Sequence, residues 1–396
     1  MKKLNKLWAV YKRPIAVIGL FLSLLGIIFL TRLTSLNHSN FSFIELKTAH
    51  ADYGWHGIFN DPNYLLLKIL RSIAYTFDSS HSLLATRLPN VIIGILTVVI
   101  FAWLIKIWHG TRTALLSTAL FATSAWVLHA SRLGNNDVLY LMLVPALLLT
   151  VAALQRHATK PIVFYGSILL WGAFLYLPGA VWLIGLTIFW ERKALKQAWL
   201  HFNTLKNRAL YVFSTLIWLP LLIINLGRFG EAKQWLGIPN NLPSTLELIH
   251  KLWEVLFNLM IHGPSNPSIW LYKAPMFDVF TLLMAVFGIY FYIKHWRVGR
   301  ARILLSYFVV GAILIALGGP VSLSLIVPLI YISVATGIAY IIHEWLQVFP
   351  INPFARIIGI SLVVIAISLS SIYNLRAYYI AWPNNTQTID TFHYKQ

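Results

Sequence analysis

The sequence predicts an all-α polytopic membrane protein, and two properties of the chain carry that prediction. Its residues are 58% hydrophobic and only 11% charged, which is too little charge to cover the surface of a soluble protein. Apolar runs of about 18 or more residues recur along the chain, and each is long enough to cross a bilayer as a helix. The runs lack the strand-length alternation of transmembrane β-barrels, so we do not expect a barrel.

The first apolar run follows a basic segment that ends at Lys12-Arg13. This run, 14–33, is longer than the core of a signal peptide and lacks a small-residue cleavage site, so we predict a retained helix. Taken in order, the apolar runs predict about 11 transmembrane helices. They span 14–33, 88–108, 113–130, 137–154, two helices within 161–190 that break at Leu177-Pro178-Gly179, 209–226, 276–294, 303–318, 321–343 and 355–375.

Two long polar loops, 34–85 and 227–275, interrupt the apolar runs. In the first loop, Ser42-x-x-Glu45 has the form of a capping box and predicts a short helix. Asp61-Pro62 then predicts the N-cap and first residue of a second helix, Asn63–Tyr75, lying along the membrane surface. In the second loop, Ser244–Met260 predicts a similar amphipathic helix. We therefore expect one membrane domain over 1–396, with both loops covering one end.

The distribution of charge predicts which face carries these loops. About 11 crossings place the N-terminus in the cytoplasm and the C-terminus outside, so that most of the 31 Lys and Arg residues fall in cytoplasmic segments. All of the 12 acidic residues except Glu191 and Glu344 then fall outside. Because acidic residues contribute little to orientation, their concentration indicates a working site on the extracytoplasmic face.

The net charge of +19 is explained by this topology and by contact with anionic lipid headgroups, so we expect no nucleic-acid partner. The chain contains no cysteine, which excludes disulfides and cysteine-based metal sites. One segment of the first loop, Phe41–Pro62, gathers an unusual density of titratable side chains. They are Glu45, Lys47, His50, Asp52, His56 and Asp61.

Several motifs follow one another in a recognisable order. They are Glu45 in the first loop, Asn60-Asp61-Pro62-Asn63-Tyr64, Thr86-Arg87-Leu88-Pro89-Asn90, Ser131-Arg132 with Asp137, and Tyr176-Leu177-Pro178-Gly179. In this order they resemble the GT-C superfamily of membrane glycosyltransferases, especially the branch of protein O-mannosyltransferases and aminoarabinose-lipid A transferases. The resemblance covers 14–190 as a core that contains loop 34–85. The variable half, 191–396 with loop 227–275, fits by helix count.

The resemblance implies transfer of a sugar from a polyprenyl phosphate to an acceptor lipid, glycan or protein outside the cell membrane. The leaving group is a phosphate, so the reaction requires cations to hold that phosphate and a carboxylate to deprotonate the acceptor. Members of this branch usually carry an adjacent Asp-Glu pair in the first loop. The present chain has Ile44-Glu45-Leu46 instead, with one carboxylate.

The resemblance makes Glu45 the first candidate for the catalytic base and Asp137 the second. Each of the two residues also has a purely structural interpretation, and a residue can have both roles. Glu45 completes the predicted capping box with Ser42. Asp137 begins a predicted helix, where an acidic residue favours the helix dipole.

The candidates for binding the donor phosphate are Arg132, Lys47, Arg87 and His56. Each could instead be an interfacial side chain that extends its charge to water, and Arg87 could brace the loop against the next helix. His262, Tyr272 and Lys273 could cover the site or select the acceptor, or simply pack within their loop. No spaced metal-binding motif occurs, so we expect no essential metal, although a divalent cation is possible. A lipid or solute transporter, or a non-catalytic scaffold with this fold, are the alternative functions.

Overall fold

The computed structural model describes residues 40–51, 53–78, 82–157, 160–202, 229–271 and 273–392, together with Leu219 and Leu221. The predicted helix 14–33 lies outside the described residues, and so does 209–226 apart from those two leucines. Asp52, Tyr272 and the side chain of His56 also lie outside them.

Every regular element in the described residues is a helix, which confirms the all-α prediction. In chain order the helices are α1 (Phe43–Ala49), α2 (Trp55–Asn60), α3 (Leu65–Phe77), α4 (Leu83–His109), α5 (Thr111–Thr123), α6 (Ala125–Arg132), α7 (Asp137–His157), α8 (Pro161–Phe174), α9 (Ala180–Phe202), α10 (Phe229–Trp235), α11 (Thr245–Met260), α12 (Val279–Lys294), α13 (Gly299–Ala316), α14 (Val327–Val348), α15 (Pro353–Arg376) and α16 (Thr386–Phe392). Short turns of tighter or wider helix occupy Leu323–Leu325 and Ala377–Ala381.

The described helices include five that are long and apolar enough to cross a membrane, and the bent pair α5–α6 makes a sixth if it is one span. The five are α4, α7, α13, α14 with the turn before it, and α15 with the turn after it. Helices α8 and α12 are apolar but shorter. The chain is therefore a multi-pass membrane protein, while the predicted number of about 11 crossings stays a prediction.

The prediction of a single straight helix at 113–130 is wrong, because two helices, α5 and α6, occupy that stretch. Helices α5 and α6 meet at Ser124 with a bend of 61°. The Ser124 N–H bonds to the carbonyl of Phe121, and the N–H of Ala125 donates to Oδ1 of Asn374, 3.3 Å away on α15. The break is therefore stabilised by a distant helix, and no proline or glycine near Ser124 predicts it from the sequence.

Asp61 is not the N-cap of the second loop helix, which corrects another prediction. That helix, α3, begins at Leu65 after Tyr64, whose backbone is left-handed with φ 60° and whose N–H donates to the carbonyl of Tyr176 at 2.7 Å. Asp61 instead ends α2, accepts the N–H of Asn63 and pairs with Lys68.

Other predicted boundaries are confirmed. Ser42 caps α1, Ser244 caps α11, and the chain breaks between α8 and α9 at the predicted Leu177-Pro178-Gly179 turn. The chain continues after α15 into α16, where Phe392 packs edge-on against Trp382.

Helices α7 and α14 form the centre of the bundle and are its most buried spans. Helices α12 and α14 approach closely because Gly337 has no side chain: a Cβ there would lie 2.2 Å from the carbonyl oxygen of Met284. The N-terminal ends of α4 and α7 lie at one end of this bundle beside the turn 133–136, and they position the polar side chains described next.

Candidate active site

Glu45 completes the predicted capping box at the start of α1. Its backbone N–H donates to Oγ of Ser42 at 3.3 Å, while its Oε2 accepts the Ser42 N–H at 3.0 Å. The Ser42 hydroxyl also lies 3.2 Å from the same carboxylate oxygen. This part of the Glu45 side chain therefore has a structural function, as the spacing predicted.

The same carboxylate joins α1 to α4 and to the turn before α7. Arg87 donates through Nε to Oε1 at 2.7 Å and through Nη2 to Oε2 at 2.9 Å, and the Gly134 N–H donates to Oε1 at 2.8 Å. Only 1% of Glu45 is exposed. Burial alone would raise the pKa of Glu45, but the Arg87 guanidinium and the Gly134 and Ser42 N–H groups outweigh it and hold the pKa below 4.5. A carboxylate so engaged is a weak proton acceptor.

Arg71 and Asn90 form a second buried junction that the sequence did not indicate. Arg71 of α3 donates to Oδ1 of Asn90 at 3.1 Å, to the carbonyl of Asn135 at 3.0 Å and to Oδ1 of Asn136 at 3.3 Å. Asn90 of α4 donates to the carbonyls of Leu133 and Asn135 at 2.7 and 2.6 Å. Together these bonds fix the turn 133–136, which leads directly into Asp137.

Asp137 begins α7 and is half-buried. Its Oδ2 accepts from Nδ2 of Asn135 at 2.9 Å, its backbone N–H returns a bond to Oδ1 of Asn135, and the Ser322 side chain also bonds to it. Among the described residues no cation forms an ion pair with it. Asp137 can therefore still accept a proton or a further hydrogen bond, which Glu45 can do only weakly. Its position at the N-terminus of α7 also fits the structural interpretation, in which an acidic residue favours the helix dipole.

Two tyrosines lie between this carboxylate and the α8–α9 break. The hydroxyl of Tyr64 lies 3.5 Å from that of Tyr140, which in turn lies 3.2 Å from the carbonyl of Pro178 and 3.1 Å from that of Pro320. Burial raises the pKa of Tyr64 to about 12, with a smaller contribution from the charge of Asp137. Its hydroxyl thus stays protonated at neutral pH and can donate a hydrogen bond.

The four candidates for phosphate binding lie in different environments. Lys47 is exposed at the end of α1, whereas Arg87 is engaged by Glu45. Arg132 is buried and donates to the hydroxyl of Tyr379 at 2.7 Å, and its guanidinium lies over the rings of Tyr378 and Tyr379. The side chain of His56 lies outside the described residues, so its predicted role stays a prediction.

The loop before α12 lies over α6, beside Arg132. Trp270 packs against Trp126 and His129, with ring centroids 5.1 and 5.3 Å apart, and Trp382 donates to the carbonyl of Pro267. His262 and Lys273 are exposed on this loop, and Tyr272 lies outside the described residues. Their proposed part in covering the site or selecting the acceptor stays a prediction.

No group of three or more His, Asp or Glu side chains in the described part of the chain is arranged to hold a metal ion. Asp52 and the His56 side chain are not in that part. The sequence did not predict the polar contacts made by the side chains of Arg71, Asn90, Tyr140 and Ser322 or by the Gly134 N–H. Two of these residues gave a signal: Asn90 ends one of the ordered motifs, and Arg71 follows Leu67 and precedes Tyr75 at four-residue spacing, on the buried face of α3.

Comparison of the whole chain with solved structures gives clear matches. The apo structure of ArnT from Cupriavidus metallidurans superposes with a TM-score of 0.59 at 9% identity, over 95% of this chain and 78% of that one. The structure of the same protein bound to undecaprenyl phosphate gives 0.56 at 10% identity, over 94% and 77%. The archaeal oligosaccharyltransferase AglB from Archaeoglobus fulgidus, in complex with an inhibitory peptide and a dolichol-phosphate, gives 0.55 at 13% identity, over 95% and 56%.

The chain has the GT-C fold. No known family model and no curated protein sequence matches the chain, so this assignment comes from the structure. It confirms the fold that the resemblance of the ordered motifs implied. Within the GT-C fold, the motif segments of the first half are brought into contact: Glu45 reaches Arg87 and Gly134, and Tyr64 reaches Tyr176.

Proposed function

We propose that the protein transfers a sugar from a polyprenyl-phosphate donor to an acceptor on the extracytoplasmic face of the cell membrane. One observation carries the proposal: segments far apart in the sequence form a single polar network at one end of a GT-C fold. The network runs from Glu45 and Arg87 through Asn90 to the turn that precedes Asp137. A purely structural bundle has no need to gather so many polar side chains at one membrane surface.

The nature of the donor is supported by the structural neighbours. ArnT was captured with undecaprenyl phosphate and AglB with a dolichol-phosphate, and both lipids present a phosphate on a long apolar chain. In the present chain α3 exposes Ile69, Ile73 and Phe77 along one face, and α11 exposes Leu246, Ile249 and Trp253. Such faces suit helices that lie in the membrane surface, where the phosphate of a lipid donor is found.

We assign the base to Asp137 ahead of Glu45. Glu45 accepts bonds from Ser42, Arg87 and Gly134 and has a lowered pKa, so its role is to position α1 against α4. Asp137 is less buried, has no ion-pair partner among the described residues, and lies at the end of the same network. In this proposal Asp137 removes the proton from the acceptor as the acceptor attacks the sugar carbon, and the phosphate leaves as a stable anion.

The cations have two proposed roles. Lys47 is exposed on α1 and free to meet the departing phosphate, and the sequence predicts the same role for His56. Arg132 lies against Tyr378 and Tyr379, so we assign it to the wall of the site rather than to first contact with phosphate. Arg87 is a positioning residue. The acceptor is a lipid, a glycan or a protein, and His262, Tyr272 and Lys273 keep their predicted role of covering the site or selecting that acceptor.

The test uses purified full-length protein and a polyprenyl-phosphate sugar, with release of polyprenyl phosphate as the readout. We expect the Asp137→Asn variant to lose release while it remains folded, and the Asp61→Asn variant, altered at an exposed carboxylate of the first loop, to retain it. Full activity of Asp137→Asn would overturn the assignment of the base, and full activity of both Asp137→Asn and Glu45→Gln would overturn the whole site.

The alternatives give different outcomes in the same preparation. Movement of the lipid across proteoliposome membranes without sugar transfer indicates a transporter. Donor binding without turnover across many acceptors indicates a non-catalytic scaffold, which the missing second carboxylate at Ile44 would explain.

A further inference from the structure

A cavity lies at the end of the bundle opposite the candidate active site. It has a volume of about 570 Å³ and opens between the α4–α5 turn, the start of α13 and the end of α14. Helix α4 begins near Arg87 and ends at His109, and its 27 residues separate its two ends by about 40 Å. This cavity therefore has no part in the network around Glu45 and Asp137.

The charged side chains in the described lining of this cavity are all cations. His109, Arg112, Arg300 and His343 line it, and no acidic side chain does so in the described part of the chain. Neither arginine forms an ion pair with a described carboxylate. Two arginines that line one cavity without a protein anion indicate that an anion from outside the chain binds there, and the two histidines offer further hydrogen-bonding groups.

Two of these side chains are held in place by neighbouring groups. Nε2 of His109 lies 3.1 Å from the hydroxyl of Thr336, which is itself 2.6 Å from the hydroxyl of Tyr292. Arg300 donates one bond to the carbonyl of Trp108 at 3.4 Å, which leaves its other N–H groups for a ligand. Arg300 also lines an adjacent cavity of about 390 Å³ together with Arg156.

Part of the remaining wall is apolar. Phe291, Ile342 and Leu346 line the cavity beside its basic side chains. A ligand that matches both surfaces carries a phosphate and a hydrocarbon chain, since guanidinium groups pair with phosphate oxygens and apolar side chains with acyl chains. Basic pockets between transmembrane helices on the cytoplasmic side are suited to lipid headgroups.

We propose that this cavity binds the phosphate headgroup of an anionic membrane lipid, with Arg112 and Arg300 as the phosphate ligands. The headgroup lies between the α4–α5 turn and α13, and its acyl chains follow α14 toward the bilayer. Bound in this way, the lipid links helices from the two halves of the chain at the end that lacks the polar network.

The experiment uses the full-length protein, delipidated in detergent, and measures lipid retention by native mass spectrometry. The probes are phosphatidylglycerol, phosphatidylcholine as the zwitterionic comparison, and inorganic phosphate and glycerol 3-phosphate as soluble competitors. We expect phosphatidylglycerol to be retained over phosphatidylcholine, and the soluble phosphates to compete poorly because they lack acyl chains. Displacement by inorganic phosphate at equal concentration would assign the cavity to a soluble phosphate compound and overturn the lipid proposal.

The decisive variant is Arg112→Gln, because Arg112 is exposed and forms no hydrogen bond to another described residue, so its loss leaves the fold intact. We expect it to bind phosphatidylglycerol about fivefold more weakly, as each basic residue near the surface contributes about that factor. Arg300→Lys keeps the charge and should retain most of the binding, whereas Arg300→Gln should not.

The matched control is Arg297→Gln, which removes an exposed charge three residues from Arg300 that does not line the cavity. Equal weakening by Arg297→Gln and Arg112→Gln would show a general surface charge effect and overturn the site.

Discussion

Arg87 contacts both carboxylate oxygens of Glu45, with Nε 2.7 Å from Oε1 and Nη2 2.9 Å from Oε2. The two residues are 42 positions apart, on α4 and α1, and both side chains are almost completely buried. A buried ion pair of this geometry is costly to break, because removal of one partner leaves the other charge without compensation. The pair therefore fixes the first loop against a transmembrane helix and defines one side of the candidate site.

Removal of the cation should destabilise the protein strongly. We expect Arg87→Ala to lower the free energy of unfolding by about 3–5 kcal/mol, since the Glu45 carboxylate would stay buried without a cation. Thermal unfolding of the purified protein in detergent provides the measurement. The control is Lys251→Ala, which breaks the exposed pair with Glu247 and should change the melting temperature little. A small effect of Arg87→Ala would show that the loop is held by other contacts.

The lowered pKa of Glu45 predicts how stability depends on pH. Because the folded-state pKa lies below the ordinary value of 4.5, the stabilisation from this ionised group is fully present above pH 4.5. It is lost as the pH falls from 4.5 through the lower folded-state pKa. The difference in melting temperature between the wild type and Glu45→Gln should therefore be largest at neutral pH and shrink in acid. A difference that is constant with pH would contradict the ion pair.

The parts of this fold that the sequence predicted are those with local causes. Ser42 and Glu45 satisfy each other within one helical turn, and Ser244 caps α11 in the same local way. The break at Pro178-Gly179 likewise follows from residues that cannot continue a helix. These features require no knowledge of the rest of the chain, and the structure confirms each of them.

The features that were missed have distant causes. The bend at Ser124 depends on Asn374, 249 positions from the N–H group that it accepts. Arg71 resembles an interfacial cation in sequence, yet its burial depends on Asn90 and on the carbonyl of Asn135. The preference for Asp137 over Glu45 has the same origin. The N–H of Gly134, 89 positions from Glu45, donates to the Glu45 carboxylate, and the motif alone did not indicate this bond.

Steady-state kinetics can test the proposed role of Asp137 as the general base. We expect Asp137→Asn to lower kcat by about 10²–10⁴-fold with little change in the KM for the lipid donor, because a general base acts in the transition state. The melting temperature should remain near that of the wild type, since Asn keeps the polar contact with Asn135. Unchanged kcat would remove Asp137 from the reaction and leave it as the N-terminal residue of α7.

Lys47 should behave differently, because it is proposed to bind the donor phosphate. We expect Lys47→Gln to raise the KM for the polyprenyl-phosphate sugar about tenfold, which corresponds to the loss of one charged hydrogen bond. Its kcat should fall much less than that of Asp137→Asn. Lys68→Gln is the control, since Lys68 lies on α3 in the same long loop and forms an ion pair with Asp61. Equal changes in KM for both lysine variants would indicate general attraction by the surface rather than a phosphate contact.

Gly134 provides a direct test of the geometry around Glu45. A Cβ at this position would lie 2.8 Å from Cγ2 of Thr86, while its distance of 3.4 Å from Cγ of Glu45 is tolerable. We therefore expect Gly134→Ala to destabilise the protein by about 1–3 kcal/mol, the usual cost of overpacking. Thr86→Ser removes the obstructing methyl group and keeps the hydroxyl that bonds to Tyr75, so Gly134→Ala combined with Thr86→Ser should recover most of the stability. Unfolding of the four proteins, wild type, each single variant and the pair, measures the coupling between the two positions. If the pair is no more stable than Gly134→Ala alone, the cause is displacement of the Gly134 N–H from Glu45 rather than a clash with Thr86.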